Sequence, residues 1–294
     1  MGARLRVLRR RIGSVQSTKK ITRAMELISA SRIAKAQLRV EQAKPYSEQM
    51  AKVIANLESA GASIQHPLLV QPAETKVVLV VAITADRGLA GAYNANVIRV
   101  ADRTYRAESA KGRDVSMLAV GKKGVSAFRY KGLEVSNSYE GLTDVPTYEG
   151  ARTVAREIIE RFESGRADAV HLVYTDFISV GRQVPVSRQL IPINRDDVSS
   201  GKPDAAAADY EFEPSPTEIL GRLLPAAVEA QVYAALLSAS ASEHASRQRA
   251  MKSATDNAED LIKSLTRDFN QARQAEITTE ISEIVGGAEA LKSR

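Results

Sequence analysis

From Ala226 to Val285 the chain runs sixty residues without a glycine or a proline. As a single α-helix that run would extend about 90 Å at 1.5 Å per residue. An ordinary globular helix has about three turns, so an element of this length cannot sit inside one core. It has to be a coiled-coil strand, a spacer or a mechanical strut. A second run of the same kind, Ser14 to Lys44, lies near the N-terminus. Between the two, the pattern changes to alternating strands and helices. Long terminal helices around an inserted α/β domain suit a chain that transmits position better than one that encloses a substrate.

The N-terminal run carries Leu5, Leu8, Ile12 and Val15 at spacings of a heptad seam. Lys19 and Thr22 interrupt that apolar series, and Ile21, Met25 and Ile28 resume it on a shifted face, as a stutter would. Pro45 predicts a kink or an end, with a further helical piece from Tyr46 to Ser59. In the C-terminal run, Thr217 is placed to cap the helix before Glu218. Further on, Met251, Ala254, Ala258, Leu261 and Leu265 form the seam, continued at Ala272 and Ala275, and Gly286-Gly287 predicts the helix end. Alanine in a seam lets helices approach closely, which gives a slim shaft and not a maximally stable one.

The middle opens with Lys76 to Ile83, a continuous β-branched run typical of a buried parallel strand. The turn Thr84 to Gly91 leads into a helix from Tyr93 to about Ser109. A strand over Asp114–Val120, a helix over Lys122–Tyr130 and a strand over Leu133–Ser138 follow. Next come a helix over Thr147–Glu163, a strand over Ala169–Tyr174 and an extended edge segment, Gln183–Pro192, expected to be antiparallel. This alternation predicts an α/β fold with a doubly wound, Rossmann-like sheet. Ser63–Thr75 and Asn194–Pro216 read as linkers. The expected division is 1–59 N-terminal coiled-coil helix, 60–213 α/β domain with linkers, and 214–294 C-terminal coiled-coil helix.

Composition removes several chemistries. There is no cysteine, hence no disulfide, thiolate nucleophile or cysteine metal ligand. His66, His171 and His244 are too far apart for a zinc spacing. Unbroken apolar runs such as Val77–Ile83 fall far short of the roughly 20 residues a membrane span needs. Residues 1–60 hold 13 Lys/Arg against 4 Asp/Glu, whereas residues 214–294 hold 9 against 11. A basic helix beside a mildly acidic one suggests antiparallel pairing within the chain. Nucleic acid is the alternative partner for Arg4, Arg6, Arg9, Arg10, Arg11, Lys19 and Lys20, but no binding motif accompanies the charge. Aromatics are only 5% and tryptophan is absent, which disfavours base stacking.

Gly88-x-x-Gly91 follows a strand and opens a helix, where a phosphate could dock, yet it lacks the first glycine of the dinucleotide fingerprint. Gly121-Lys122-Lys123-Gly124 is not a phosphate-binding loop. Asp176 ends a strand, a usual place for catalytic groups, without a nucleophile or base beside it in sequence. A shaft, a Rossmann-type nucleotide enzyme and a basic coiled-coil nucleic-acid binder remain the competing readings, with the shaft favoured.

The run from Arg11 to Ser31, continuing through Lys35-Ala36-Gln37, resembles the gamma subunit of F-type ATP synthases. So do Asp86-Arg87-Gly88-Leu89-Ala90-Gly91 with Asn94, the segment Met251–Ala258, and Asn270–Ile281 with Glu283–Ala288. The resemblance spans essentially the whole chain, apart from 195–216. It implies a non-catalytic rotor shaft whose terminal helices form an antiparallel coiled coil inside a ring of three alpha and three beta subunits. The α/β domain would then meet the epsilon subunit and the c-ring. The complex would sit at the cytoplasmic face of the bacterial plasma membrane, with this chain binding no cofactor or metal itself. The residues matching the family's beta-subunit contacts are Met25, Arg247, Arg273, Gln274 and Thr278. A smooth apolar bearing is implied for Ile281, Ile284, Val285, Ala288 and Leu291.

Overall fold

A computed structural model describes residues 3–59, 66–193 and 216–292. The elements, in order, are α1 (Ala3–Ser59), a 3₁₀ turn (Pro67–Leu69), β1 (Val77–Ile83), α2 (Tyr93–Ser109), β2 (Asp114–Val120) and α3 (Lys122–Tyr130). Then come β3 (Val135–Tyr139), α4 (Tyr148–Glu163), β4 (Ala169–Phe177), β5 (Gln183–Ile191) and α5 (Pro216–Lys292). The five strands form one sheet in the order β3-β2-β1-β4-β5. Pairing is parallel except between β4 and β5, so the expected antiparallel edge is present.

Strand alternation divides the core in two. Leu79, Val81 and Ile83 of β1 pack with Leu118, Val120, Val170 and Leu172, beneath Val154 and Ile158 of α4. Val78, Val80 and Ala82 face the other way, against Val97 and Ala101 of α2 and Val125 and Phe128 of α3. Because β1 is covered on both faces, its sequence is continuously apolar and not alternating. Helix α4 starts where Thr147 accepts a hydrogen bond from the Gly150 amide, one of the donors a helix start leaves unpaired.

Several expectations change. Pro45 lies inside α1, which continues to Ser59, and Pro225 lies inside α5. Thr217 already lies within α5 (Pro216–Lys292), so it is not the cap. At the other end α5 passes through Gly286-Gly287 to Lys292; glycine tolerates helical backbone, and these two do not end it. The expected linker Ser63–Thr75 contains core residues. Leu68 is fully buried and Leu69 nearly so, and the Ile193 amide donates to the Leu68 carbonyl at 2.8 Å. Residues 60–65 and 194–215, which carry the rest of the expected linkers, lie outside the described residues.

Packing divides the chain into two compact units, Met1–Ser29 with Arg247–Arg294, and Ala30–Ser246. The division read from the sequence, 1–59, 60–213 and 214–294, follows the ends of elements; compactness follows burial. Leu220, Leu224, Val228, Val232, Leu236 and Ala239 of α5 belong to the same core as α4 and the sheet. This also explains why part of α5 is apolar enough in composition to cross a membrane: 61% of that window is buried within the chain.

In the first unit the two helices are antiparallel. Arg9 lies over the Phe269 ring at 5.6 Å, Lys19 Nζ bonds Glu259 at 2.9 Å, and the Thr22 and Thr255 hydroxyls meet at 2.7 Å. The inward positions of α1 are Leu5, Leu8, Ile12, Val15, Lys19, Thr22, Glu26 and Ser29, an unbroken alternation of three and four. There is no stutter: Ile21 is 61% and Ile28 54% exposed, while Thr22 is 8%. On α5 the inward set is Met251, Thr255, Ala258, Ile262, Leu265, Phe269, Ala272 and Glu276, with the expected Ala254 half-buried beside it, whereas Leu261 and Ala275 face outward. The seam continues through polar residues: Lys19 and Thr22 pair across it, while Glu26 and Ser29 bond within α1.

Each hydroxyl also lies within hydrogen-bond reach of a carbonyl of its own helix, Lys19 for Thr22 and Met251 for Thr255; with one proton each, one donates across the seam and the other to its carbonyl. Replacing one by valine removes the hydrogen bond across the seam, at a cost of about 1 kcal/mol. The double replacement gives an apolar pair of the same shape. Urea unfolding is expected to show the double variant no less stable than the parent, against the sum of two losses if the hydroxyls acted independently.

Candidate partner interface

The residues expected to meet partners are all on the two long helices. Met25 is half-buried, beside Glu26, whose carboxylate takes both oxygens' worth of bonding from Arg23 Nη1 at 2.9 Å. Arg273, Gln274 and Thr278 are exposed on α5, and the Thr278 hydroxyl donates to the Gln274 carbonyl at 2.9 Å. Arg247 differs from these. It is only 6% exposed, so it is not a solvated helix charge, and burial of a guanidinium requires pairing. Thus Met25 and Arg247 belong to the packed part of the helices, while Arg273, Gln274 and Thr278 form an outward-facing polar group.

Beyond Glu276 no residue of α5 as far as Ala288 is inward-facing. Ile281, Ile284 and Val285 are 55%, 72% and 56% exposed, and Ala288 is exposed too. These apolar side chains are separated by three, one and three positions, which puts them on one side of the helix. The side chain of Leu291 lies outside the described residues. Most of the N-terminal basic cluster is also exposed; Arg9 and Lys19 are spent on α5, and Arg4, Arg6, Arg10, Arg11 and Lys20 face outward.

The turns that could have held a phosphate are filled by the chain's own groups. At the start of α3 the Lys122 amide donates to Asp86 Oδ1, the Lys123 amide to the Ala85 carbonyl and the Gly124 amide to Thr84 Oγ1. At the Gly88-x-x-Gly91 turn the Ala85 amide is held by Asn94 Oδ1 and the Tyr93 amide by the Ala90 carbonyl. At the start of α3 the donors a phosphate would need are thus already used. Asp176 is likewise committed: it accepts from Arg188 at 2.9 Å and from Ser238 at 3.2 Å, on the wall of a cleft of about 1010 Å³ between α1, β4, β5 and α5. Among the described residues no cluster of His, Asp or Glu could hold a metal ion.

Sequence reasoning missed one polar node entirely. Asp144, in the loop between β3 and α4, bonds Arg32 of α1 and lies 3.8 Å from Arg87 of the glycine turn. Its backbone carbonyl is 3.3 Å from both Ser240 Oγ and His244 Nε2 of α5. Burial pushes the Asp144 carboxyl up, but the Arg32 hydrogen bond and the charges of Arg32, Arg87 and His244 outweigh it and hold the group below the usual carboxylate range. Its partners are 57 to 112 positions away in sequence, so no local motif marks it.

The comparison with known proteins decides the family. The ATP synthase family profile matches residues 4–291. The chain is 48% identical to the ATP synthase gamma chain of Frankia casuarinae, over 100% of this chain and 99% of that one. It is 46% identical to that of Streptomyces coelicolor, over 99% of this chain and 97% of that one. This chain belongs to the ATP synthase gamma-chain family.

Solved structures agree on the fold of this gamma chain. A chain of the Euglena gracilis mitochondrial ATP synthase, from its F1/c-ring structure, superposes with a TM-score of 0.70 at 17% identity, covering 99% of this chain and 95% of that one. A chain of the Tetrahymena thermophila mitochondrial ATP synthase central stalk and c-ring gives 0.61 at 24%, covering 80% and 99%. The fold expected from the sequence resemblance, long N- and C-terminal helices with a five-stranded α/β sheet between them in sequence, is therefore shared with chains of solved ATP synthase assemblies.

Proposed function

We propose that this chain is the rotor shaft of an F-type ATP synthase, coupling proton-driven rotation of a c-ring to ATP synthesis on beta subunits while carrying no catalytic group itself. The observation that supports this best is the asymmetry of the helix pair. Its seam is satisfied internally as far as Glu276, yet the last turns of α5 hold a row of exposed isoleucine and valine. An exposed apolar row of this kind marks a binding surface.

On this reading the row Ile281, Ile284, Val285, Ala288 and Leu291 turns in an apolar bearing of three alpha and three beta subunits. Contact without directional bonds leaves no deep energy well at any angle. Met25, Arg247, Arg273, Gln274 and Thr278 stand at a collar of beta-subunit loops, where the asymmetric shaft stabilises open and closed beta conformations in turn by differential contact. The α/β domain meets epsilon and the c-ring, which holds the chain at the cytoplasmic face of the bacterial membrane.

Affinity purification through a tagged beta subunit tests this reading. The chain is expected to arrive with alpha, beta and epsilon. An alpha–beta complex that forms with this chain present yet leaves it behind would refute it.

A further inference from the structure

The hydrophobic effect is non-directional. The apolar side chains that bury the base of α5 against the sheet hold it close and oppose its rolling by packing. Bonds of fixed direction add stiffness about the axis: Ser238 and Ser242 bond β4 and Glu229 bonds Tyr148, and the contacts around Asp144 engage α1 as well as α5. The loop carrying Asp144 is first fixed to the sheet. Thr143 Oγ1 and the Gly141 amide each donate to Asp86 Oδ2 at 3.0 Å, the Asp86 amide donates to Thr143 Oγ1 at 3.2 Å, and Asp86 Oδ1 holds the start of α3. From that fixed loop Asp144 reaches both long helices: its carboxylate takes Arg32 of α1, and its carbonyl takes Ser240 and faces His244 of α5. His244 is 2% exposed, so that contact is shielded from water. Arg87 adds a second charge on the sheet side.

We infer that Asp144 is a positioning residue that ties the α/β domain to both shaft helices at one point, so that torque applied to the domain is passed to the two helices together. This rests on the rotor reading above and deepens it. Removing the charge at Asp144 leaves the apolar core intact and loosens one joint. Charge-assisted hydrogen bonds are about twice as strong as neutral ones, so Asp144→Asn is expected to about halve the stiffness of that tie and about double the angular variance it permits.

The test uses the complete complex. The chain has no cysteine, so Tyr130→Cys, at a position 93% exposed at the end of α3, gives a single attachment point on the α/β domain. With the alpha–beta ring immobilised and no nucleotide turnover, the angular spread of a bead on that thiol reports torsional stiffness. Asp144→Asn and Arg32→Gln are each expected to broaden the spread, and the double variant to broaden it no further, because both remove the same bond. An unchanged spread, or effects that simply add, would overturn the inference. Failure of both single variants to assemble would assign the pair to folding and overturn it equally. Failure of the rotor reading has a different signature: the parent bead would not turn when ATP is supplied.

Discussion

Gly121→Ala is expected to destabilise the α/β domain by more than about 4 kcal/mol, beyond the range of ordinary substitutions. Gly121 has φ +97, a region that side-chain-bearing residues avoid. A Cβ there would lie 2.1 Å from the Thr84 carbonyl oxygen and 2.7 Å from its carbon. Both atoms are backbone, and they cannot retreat without opening the sheet. The Thr84 amide donates to the Val120 carbonyl at 2.7 Å, and the Gly121 amide to the Tyr139 carbonyl at 2.8 Å. Gly112 is the control: it also has positive φ, +77, but its Cβ would meet nothing within 4 Å. Gly112→Ala should therefore cost only the left-handed backbone penalty, about 1–2 kcal/mol. Domains are stable by about 5–15 kcal/mol in total, so the Gly121 variant should lose most soluble chain while the Gly112 variant accumulates. Similar unfolding midpoints for the two in urea would mean that the contact at Thr84 does not constrain the fold.

Met25→Lys is expected to uncouple the complex without dismantling it. Met25 is half-buried at the level of Arg23 and Glu26, on the polar stretch of the seam. Methionine adapts to changing neighbours without fixed bonds. In the collar of beta-subunit loops proposed above, a lysine ammonium would instead lose water and seek a carboxylate, and an unpaired buried charge costs about 3–5 kcal/mol. If only about 1.4 kcal/mol of that cost differs between rotor angles, the populations of those angles shift about tenfold. Proton pumping should then fall more than ATP hydrolysis. Measured together in inverted vesicles, equal losses of both would assign the defect to assembly and not to coupling.

The α/β domain was legible in the sequence because its central strands β1, β2 and β4 are buried along most of their length and α2, α3 and α4 each bury one face. Val77–Ile83 and Asp114–Val120 announce themselves by composition, and their boundaries agree with the structure within a residue. The helix pair was legible only in outline. Apolar periodicity chose Ile21, Ile28 and Leu261, all of which face outward; the seam positions nearby are Lys19, Thr22, Glu26 and Ile262. A polar residue belongs in a seam when its partner across the seam satisfies it, as Glu259 does for Lys19 and Thr255 for Thr22. That information resides in two distant segments at once. Asp144 was invisible for the same reason: its role is made by Arg32, Arg87, Ser240 and His244, none of which lies nearby in sequence. The glycines at 286 and 287 misled in the opposite direction, since a local stop signal is overridden where the helix continues through it.

The central claim, that this chain turns as a shaft, is tested most directly by watching it turn. In the assembled complex, with the alpha–beta ring fixed to a surface and a probe on the thiol of Tyr130→Cys, ATP is expected to drive rotation of the probe in a single direction. Sustained ATP hydrolysis with the probe stationary relative to the ring would contradict the account.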